Sequence, residues 1–155
     1  MSIRKILLFF CLVASVNSLF AQHATSLNVK LNDDLHQLEI QQELTFVNTS
    51  ADSLSEIYLL DWANSFSDKT TPLGKRFSED YLRRFYFAKP EERGHTTIHK
   101  LTNSRSQDLV WERPKDKQDI IKVTLPTPLA PNASFEFKLT YTVKIPDEKF
   151  TRYGF

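Results

Sequence analysis

The chain has 155 residues, a formal net charge of +1, one cysteine and three glycines. The near-neutral charge argues against a nucleic-acid partner, because domains that bind phosphate backbones usually carry a strong basic bias. Three scattered glycines leave no glycine-rich loop that could cradle a phosphate and no nucleophile elbow.

The first 21 residues have the pattern of a secretory signal peptide. Arg4 and Lys5 supply a positive start, an apolar run follows, and Ala21 is a small residue at the expected cleavage point. The run is too short to span a bilayer as a helix, which needs about 20 residues. We therefore expect export to the periplasm, outer surface or medium, with residues 22–155 as a single domain and no stable membrane span. An uncleaved anchor and a lipid on Cys11 are the alternatives.

The first part of the expected mature domain predicts three strands, at 27–31, 38–46 and 54–62. In the second of these, apolar residues alternate with polar ones, as in a strand with one buried and one solvated face. The residues expected on its buried face are Leu38, Ile40, Leu44 and Phe46. Gln42 interrupts this face, and a polar loop at 48–50 separates the second strand from the third.

A four-residue period replaces the alternation between residues 64 and 90. Its members are Leu73, Phe77, Tyr81 and Phe85. Thr71 followed by Pro72 suits a helix N-cap and first turn, and Pro90 marks the far limit. The sequence therefore predicts one inserted α-helix at 72–88, with Gly74 as a weak point. An aromatic stripe at this spacing more often packs on a core than binds a ligand, and we expect packing here.

The remaining chain predicts four strands, at 96–101, 109–112, 119–125 and 134–145. The last has the clearest alternation, with apolar residues at every odd position from Phe135 to Ile145. Between the last two strands, Pro126 and Pro128 remove backbone donors and Asn132 tolerates a left-handed conformation, so the chain should reverse there. Many short strands and one helix predict an all-β fold, an antiparallel β-sandwich with a partly closed barrel as the alternative.

His95 and His99 have the spacing of the zinc-binding histidines in the H-E-x-x-H motif, but two features oppose a metal site. Thr96 stands where the motif needs a glutamate base. The β-branched residues between the histidines favour a strand, in which positions four apart are separated by about 13 Å. We expect a surface strand with two solvent-facing imidazoles, and we predict no catalytic, cofactor-binding or metal-binding residue in this chain.

Two tryptophans remain as candidates for ligand contact. Exposed, Trp62 or Trp111 could stack on a sugar or a peptide, whereas buried indoles would fill the core. Because Trp62 ends a predicted strand and Trp111 lies inside one, we expect both in the core.

Several segments resemble the N-terminal domain of aminopeptidase-N-like gluzincin zinc metallopeptidases. Residues 43–50 match a strand ending in F-x-N-x-S, residues 54–60 the following L-x-x-I-x-L strand, and residues 129–134 a PL-x-P-G-x-S turn. Residues 141–146 match the strand after that turn, which ends in proline. Asn132 stands where the family often has glycine, and both residues tolerate a left-handed turn. Residues 61–65, 93–98 and 149–155 are similar to large secreted members of Bacteroidetes type.

The resemblance implies a saddle-shaped β-sandwich that precedes a separate catalytic domain. In such enzymes the zinc ligands and the glutamate base lie on helices of that second domain, and no residue of this chain matches their motif. The resemblance therefore implies an N-terminal fragment that needs no cofactor itself. Its partner would be the catalytic domain of the same polypeptide, and the parent enzyme would use zinc to hydrolyse peptide substrates from the N-terminus.

Two further functions are compatible with the residues. A freestanding exported β-sandwich could bind a glycan or a protein, since a fold does not determine a function. A structural subunit could also pair with a separately encoded catalytic partner.

Overall fold

The computed structural model describes residues 23–155. The signal peptide predicted at 1–21, including Cys11, lies outside this range. Within the described residues, no helix is long and apolar enough to cross a membrane.

Seven strands form two antiparallel sheets. They are β1 (Ala24–Asn32), β2 (Gln37–Val47), β3 (Leu54–Leu60), β4 (His95–Asn103), β5 (Val110–Glu112), β6 (Ile120–Leu129) and β7 (Ser134–Lys144). The four-stranded sheet has the order β1-β2-β7-β4, and the three-stranded sheet has the order β3-β6-β5. Because the strands form two separate sheets rather than one closed sheet, the fold is a β-sandwich and not a barrel.

The core lies between the two sheets, and the two-residue period of β7 selects the side chains that enter it. Phe137, Leu139 and Val143 are buried, whereas Glu136 and Thr140 point outward. The buried members of the main core are Ile57, Leu101, Leu109, Ile121, Val123, Leu125, Leu129, Phe137 and Leu139. Each large apolar side chain buried in this way contributes about 1.5–3 kcal/mol. The predicted buried face of β7 is therefore confirmed.

The connection from β6 to β7 passes from one sheet to the other. Pro126 and Pro128, which were expected in this connection, lie inside β6. β6 continues to Leu129, past the end predicted at 125. In the pairing with β3, the register shifts between Thr124 and Leu129. Pro126 and Pro128 fall within this irregularity, where a missing backbone N–H breaks no ladder hydrogen bond. The reversal itself comes at Asn132, whose φ of 62° confirms the predicted left-handed residue.

The helix predicted at 72–88 is wrong in its extent, because the segment forms two short helices, α1 (Pro72–Glu79) and α2 (Arg83–Tyr86). The predicted start is confirmed, since the Thr71 hydroxyl accepts a hydrogen bond from the Gly74 N–H at 3.0 Å. The helix breaks at Tyr81, which has a φ of 58° and is 83% exposed. A continuous helix would have placed this aromatic ring on the packed face.

The two helices cover one end of the sandwich with an aromatic cluster. Phe66, Phe77 and Phe85 are its buried members, and Phe150 and Tyr153 pack against them. Phe66 belongs to a 3-10 helix, Trp62–Phe66, that follows β3. The break at Tyr81 allows Phe77 and Phe85 to meet with ring centroids 5.3 Å apart, although they lie on different helices. The stripe is a packing surface, as predicted, except at Tyr81.

Candidate functional site

The two histidines lie on β4, as the strand prediction required. His99 is exposed at a register irregularity, with its Nε2 atom 3.2 Å from the Thr142 hydroxyl. His95 is half-buried rather than freely solvent-facing, and burial, followed by the nearby charge of Lys144, lowers the pKa of its imidazole. Across residues 23–155, no group of three or more His, Cys, Asp or Glu side chains could hold a metal ion.

The two tryptophans differ from each other. Trp111 packs against the main core and is partly buried, in agreement with the prediction. The burial predicted for Trp62 is wrong, because its side chain is 50% exposed. Trp62 lies two residues beyond the end of β3, where its ring contacts Phe66 and Tyr153 of the aromatic cluster.

The segments that carry the family resemblance meet at Asn48, which is fully buried. Its side-chain amide donates hydrogen bonds to the carbonyl oxygens of Leu129 and Asp52, at 2.9 and 2.8 Å. Its side-chain oxygen accepts from the Ser50 N–H and hydroxyl, at 3.0 and 2.7 Å. This one side chain therefore closes the loop after β2 and attaches it to the end of β6, 81 residues further along the chain.

Backbone hydrogen bonds complete the same junction. The Asn48 N–H donates to the Ala133 carbonyl at 2.9 Å, and the Asn132 N–H donates to the Asn48 carbonyl at 2.8 Å. The F-x-N-x-S segment and the L-x-P-N-x-S turn thus form one hydrogen-bonded junction, which links the two sheets.

An open cleft of about 260 Å³ between the two sheets is the candidate binding site. Its apolar wall consists of Leu44, Leu59, Leu60, Ile98, Ile121 and Leu139. Its polar wall consists of Gln42, Tyr58, Asp61, Thr96 and Tyr141. These residues come from β2, β3, β4, β6 and β7 and from the residue after β3, so the cleft exists only when both sheets are assembled.

Tyr141 and Asp61 both make side-chain hydrogen bonds at this cleft. The Tyr141 hydroxyl donates to the side-chain oxygen of Gln42 at 3.0 Å. Asp61 accepts from the Thr96 hydroxyl at 2.7 Å and from the Arg113 guanidinium at 2.6 Å. Because the Asp61–Arg113 pair is well buried on both sides, the charge of Asp61 is compensated inside the protein.

The electrostatics of the cleft keep a hydrogen-bond donor in it. Burial, and then the negative charge of Asp61, raises the pKa of Tyr141, so this phenol stays protonated at neutral pH. The same two causes raise the pKa of Tyr153. The protonated phenol of Tyr141 can position a neutral group by donating a hydrogen bond, and it does not give up its proton near pH 7.

Sequence reasoning missed this cleft, although one signal was present. Gln42 interrupts the apolar face of β2, and the structure shows that this interruption faces the cleft and pairs with Tyr141. Asp61 and Arg113, which are 52 residues apart, gave no local signal. Tertiary folding alone brings these two residues together.

Comparisons with known proteins find similarity among solved structures. No family model matches the chain, and no curated protein matches it. A solved structure of a two-domain M1 zinc metallopeptidase, a variant bound to L-arginine, is similar at 18% identity with a TM-score of 0.45. The match covers 79% of this chain and 19% of the neighbour, so this chain spans less than a quarter of that protein's length. A likeness at this level says nothing about what this chain binds or catalyses.

Proposed function

We propose that this chain is the non-catalytic N-terminal β-sandwich of an exported zinc-dependent aminopeptidase. The partner would be the catalytic domain of the same polypeptide, which would supply the zinc ligands and the general base. The parent enzyme would remove residues from the N-termini of peptides by metal-activated water.

The hydrogen-bonded junction at Asn48 supports this proposal most directly. Two of the segments that carry the family resemblance, around Asn48 and Asn132, are more than 80 residues apart in the sequence. Chance matches to two short patterns have no reason to touch in space. Here they share two backbone hydrogen bonds, and the Asn48 side chain binds the end of the strand that leads into the second segment.

The residues that the structure describes do not fit a zinc site. A zinc site needs three or four closely placed His, Cys or carboxylate ligands, and residues 23–155 contain no such group. We therefore derive no catalytic step within this chain. Its contribution to the parent enzyme would be to provide a rigid surface on which another domain packs.

The size of the native product tests the proposal. An antiserum raised against the purified chain should detect, in the cells and medium of the source organism, a species much larger than the 18.0 kDa of this chain. Immunoprecipitates should hydrolyse chromogenic aminoacyl amides, and a chelator should abolish this activity. The purified chain with added zinc should show no turnover. A native product of about 18 kDa, or metal-dependent turnover by the chain alone, would contradict the proposal.

A freestanding exported binding module is the second candidate, and the exposure of Trp62 favours it. Ring stacking on a sugar or a peptide side chain requires an accessible indole, and Trp62 provides one. A glycan ligand should quench tryptophan fluorescence in the wild type and not in Trp62→Phe. Trp111→Phe is the matched control, because Trp111 packs against the core and should leave the quenching unchanged.

A further inference from the structure

The cleft between the sheets runs along an open edge of β3. Tyr58, Leu59 and Leu60 all line it. Successive side chains of a strand point to opposite faces, so three consecutive residues can line one cleft only along the edge of the strand. Within residues 23–155, β3 pairs with β6 alone, and its other edge is therefore unpaired. We propose that β3 and this cleft bind an extended apolar peptide segment, which adds to the three-stranded sheet as a further strand.

The size of the cleft favours side chains over a whole small ligand. Pockets that enclose a ligand usually measure about 300–1,000 Å³, whereas this cleft is open and measures about 260 Å³. It can take one or two side chains of a strand. The main-chain N–H and C=O groups along the edge of β3 would supply affinity, and the cleft would select the side chains, as in other cases of strand addition.

The surroundings of β3 define the side chains of the bound segment. Inward-pointing residues would meet the cleft, which presents six apolar side chains and whose one carboxylate, Asp61, is already paired with Arg113. Outward-pointing residues would lie beside Tyr58 and Leu60, which are 57% and 76% exposed. Because both faces are apolar here, the segment needs a continuous apolar run rather than an alternating pattern.

Charge at one end of β3 adds a second requirement. Next to Tyr58, the Lys122 ammonium lies 2.7 Å from Glu56 and 3.6 Å from Glu112, so this group of three carries one excess negative charge. A basic residue at the end of the segment that lies beside Glu56 would complement it. The occupant is thus an uncharged run of about four to six apolar residues, flanked on one side by Lys or Arg.

The other sheet edges are less suited to this mode of binding. β4 has a register irregularity at His99, and β5 has only three residues. Bulges and short strands are common ways of blocking edge pairing. β1 is long and exposes apolar side chains at Leu27, Val29 and Leu31, but none of these residues lines the cleft. The inference does not depend on the proposed function, because a freestanding domain would present the same edge of β3.

Peptide binding to the full chain tests the inference. The probe is a fluorescein-labelled peptide with one terminal lysine and five apolar residues, and its binding is measured by fluorescence anisotropy. The control peptide has the same length and end charge, with two prolines in the apolar run. We expect saturable binding of the probe. The control should bind at least about tenfold more weakly, because each proline removes a main-chain hydrogen bond. Equal binding of both peptides would overturn the inference.

A pair of surface variants locates the binding edge. Leu60→Lys places a charge beside the edge of β3, and Val110→Lys places the same charge on β5, at the other edge of the same sheet. The two side chains are matched in exposure, at 76% and 73%. We expect at least about tenfold weaker binding for Leu60→Lys and less than about a twofold change for Val110→Lys, since a charge desolvated by the peptide costs more than one left in water.

Two further outcomes would overturn the inference. Amide chemical shifts on peptide addition should change most at residues 58–60, and changes centred on 27–31 would assign the site to β1. Sedimentation should show a monomer. A dimer that Leu60→Lys dissociates and that binds no peptide would identify a second copy of the chain as the occupant. Circular dichroism of both lysine variants checks that each is folded.

Discussion

Replacing Asn48 by alanine should destabilise the domain more than any loss of an exposed polar side chain, because this residue joins the two sheets. The substitution removes four hydrogen bonds of 2.7–3.0 Å. Each such bond contributes about 0.5–1.5 kcal/mol net. Ser50 and Asp52 are exposed and can rebind water, but the carbonyl of Leu129 is buried and cannot. The loss of the donor to that carbonyl costs, by itself, about 1–3 kcal/mol.

We therefore expect Asn48→Ala to lower the free energy of unfolding by about 3 kcal/mol, a large part of the roughly 5–15 kcal/mol that a domain usually has. The measurement is urea unfolding followed by circular dichroism, with the midpoint and slope compared with those of the wild type. Asn28→Ala is the matched control, because Asn28 lies on the exposed strand β1 and should change stability by less than about 0.5 kcal/mol. A loss below about 1 kcal/mol for Asn48→Ala would refute the view that this side chain joins the sheets.

Asn48→Asp separates the donor from the acceptor function of the same side chain. The carboxylate keeps the acceptor for Ser50 but faces the carbonyl oxygens of Leu129 and Asp52, which it cannot bind. Burial would raise the pKa of the introduced acid above its ordinary value of about 3.9. The destabilisation is then complete above the raised pKa and is relieved as the pH falls toward 3.9. Stability of this variant relative to the wild type should therefore improve on acidification, and a pH-independent difference would contradict the reasoning.

Substitutions at three further positions test other parts of the structure by the same unfolding assay. Asn132→Ala should cost about 1 kcal/mol, because alanine tolerates a φ of 62° poorly, whereas Asn132→Gly should be nearly neutral. Gly74→Ala should destabilise by more than about 1 kcal/mol despite the higher helix propensity of alanine, because a Cβ atom would lie 2.6 Å from the Asp68 carbonyl oxygen. Burial alone would raise the pKa of Asp68, but hydrogen bonds from Thr70 and the charge of Arg93 outweigh it and lower that pKa. This stabilisation is present above the unfolded pKa of about 3.9 and is lost as the pH falls through the folded pKa. Asp68→Asn should therefore cost less than about 1 kcal/mol at pH 7, since the carboxylate is half exposed. The difference in stability from the wild type should shrink at pH 3. A difference that stays constant with pH would contradict this prediction.

Local features of the sequence determined the strands, the start of the first helix and the chain reversal before β7. The two-residue period of β7 needs only the geometry of an extended chain, because alternate side chains of a strand always reach opposite faces. Thr71 caps α1 by accepting a hydrogen bond from the N–H of Gly74, three residues further along the chain. Asn132 adopts the left-handed conformation that its short polar side chain tolerates. Each of these features depends on contacts within a few residues.

Tertiary structure decided the features that depend on distant partners. The break at Tyr81 separates Phe77 and Phe85 onto two helices, so that both rings reach Phe66. The four-residue period in the sequence carries no information about the position of the Phe66 ring. Trp62 is exposed because the chain leaves β3 as a short 3-10 helix at the rim of the aromatic cluster, although a tryptophan at the end of an apolar run favours burial.

The candidate cleft also depends on residues that are distant in the sequence. Gln42 was visible in the sequence as an interruption of an apolar face, but its partner Tyr141 is 99 residues away. The Asp61–Arg113 pair spans 52 residues, and the free edge of β3 exists only because the three-stranded sheet ends there. The sequence by itself determined where the strands lie along the chain and where it reverses at Asn132, although not every strand end, because those preferences are local. Only the assembly of two sheets decided which polar groups face each other, because that depends on register and strand order over the whole chain.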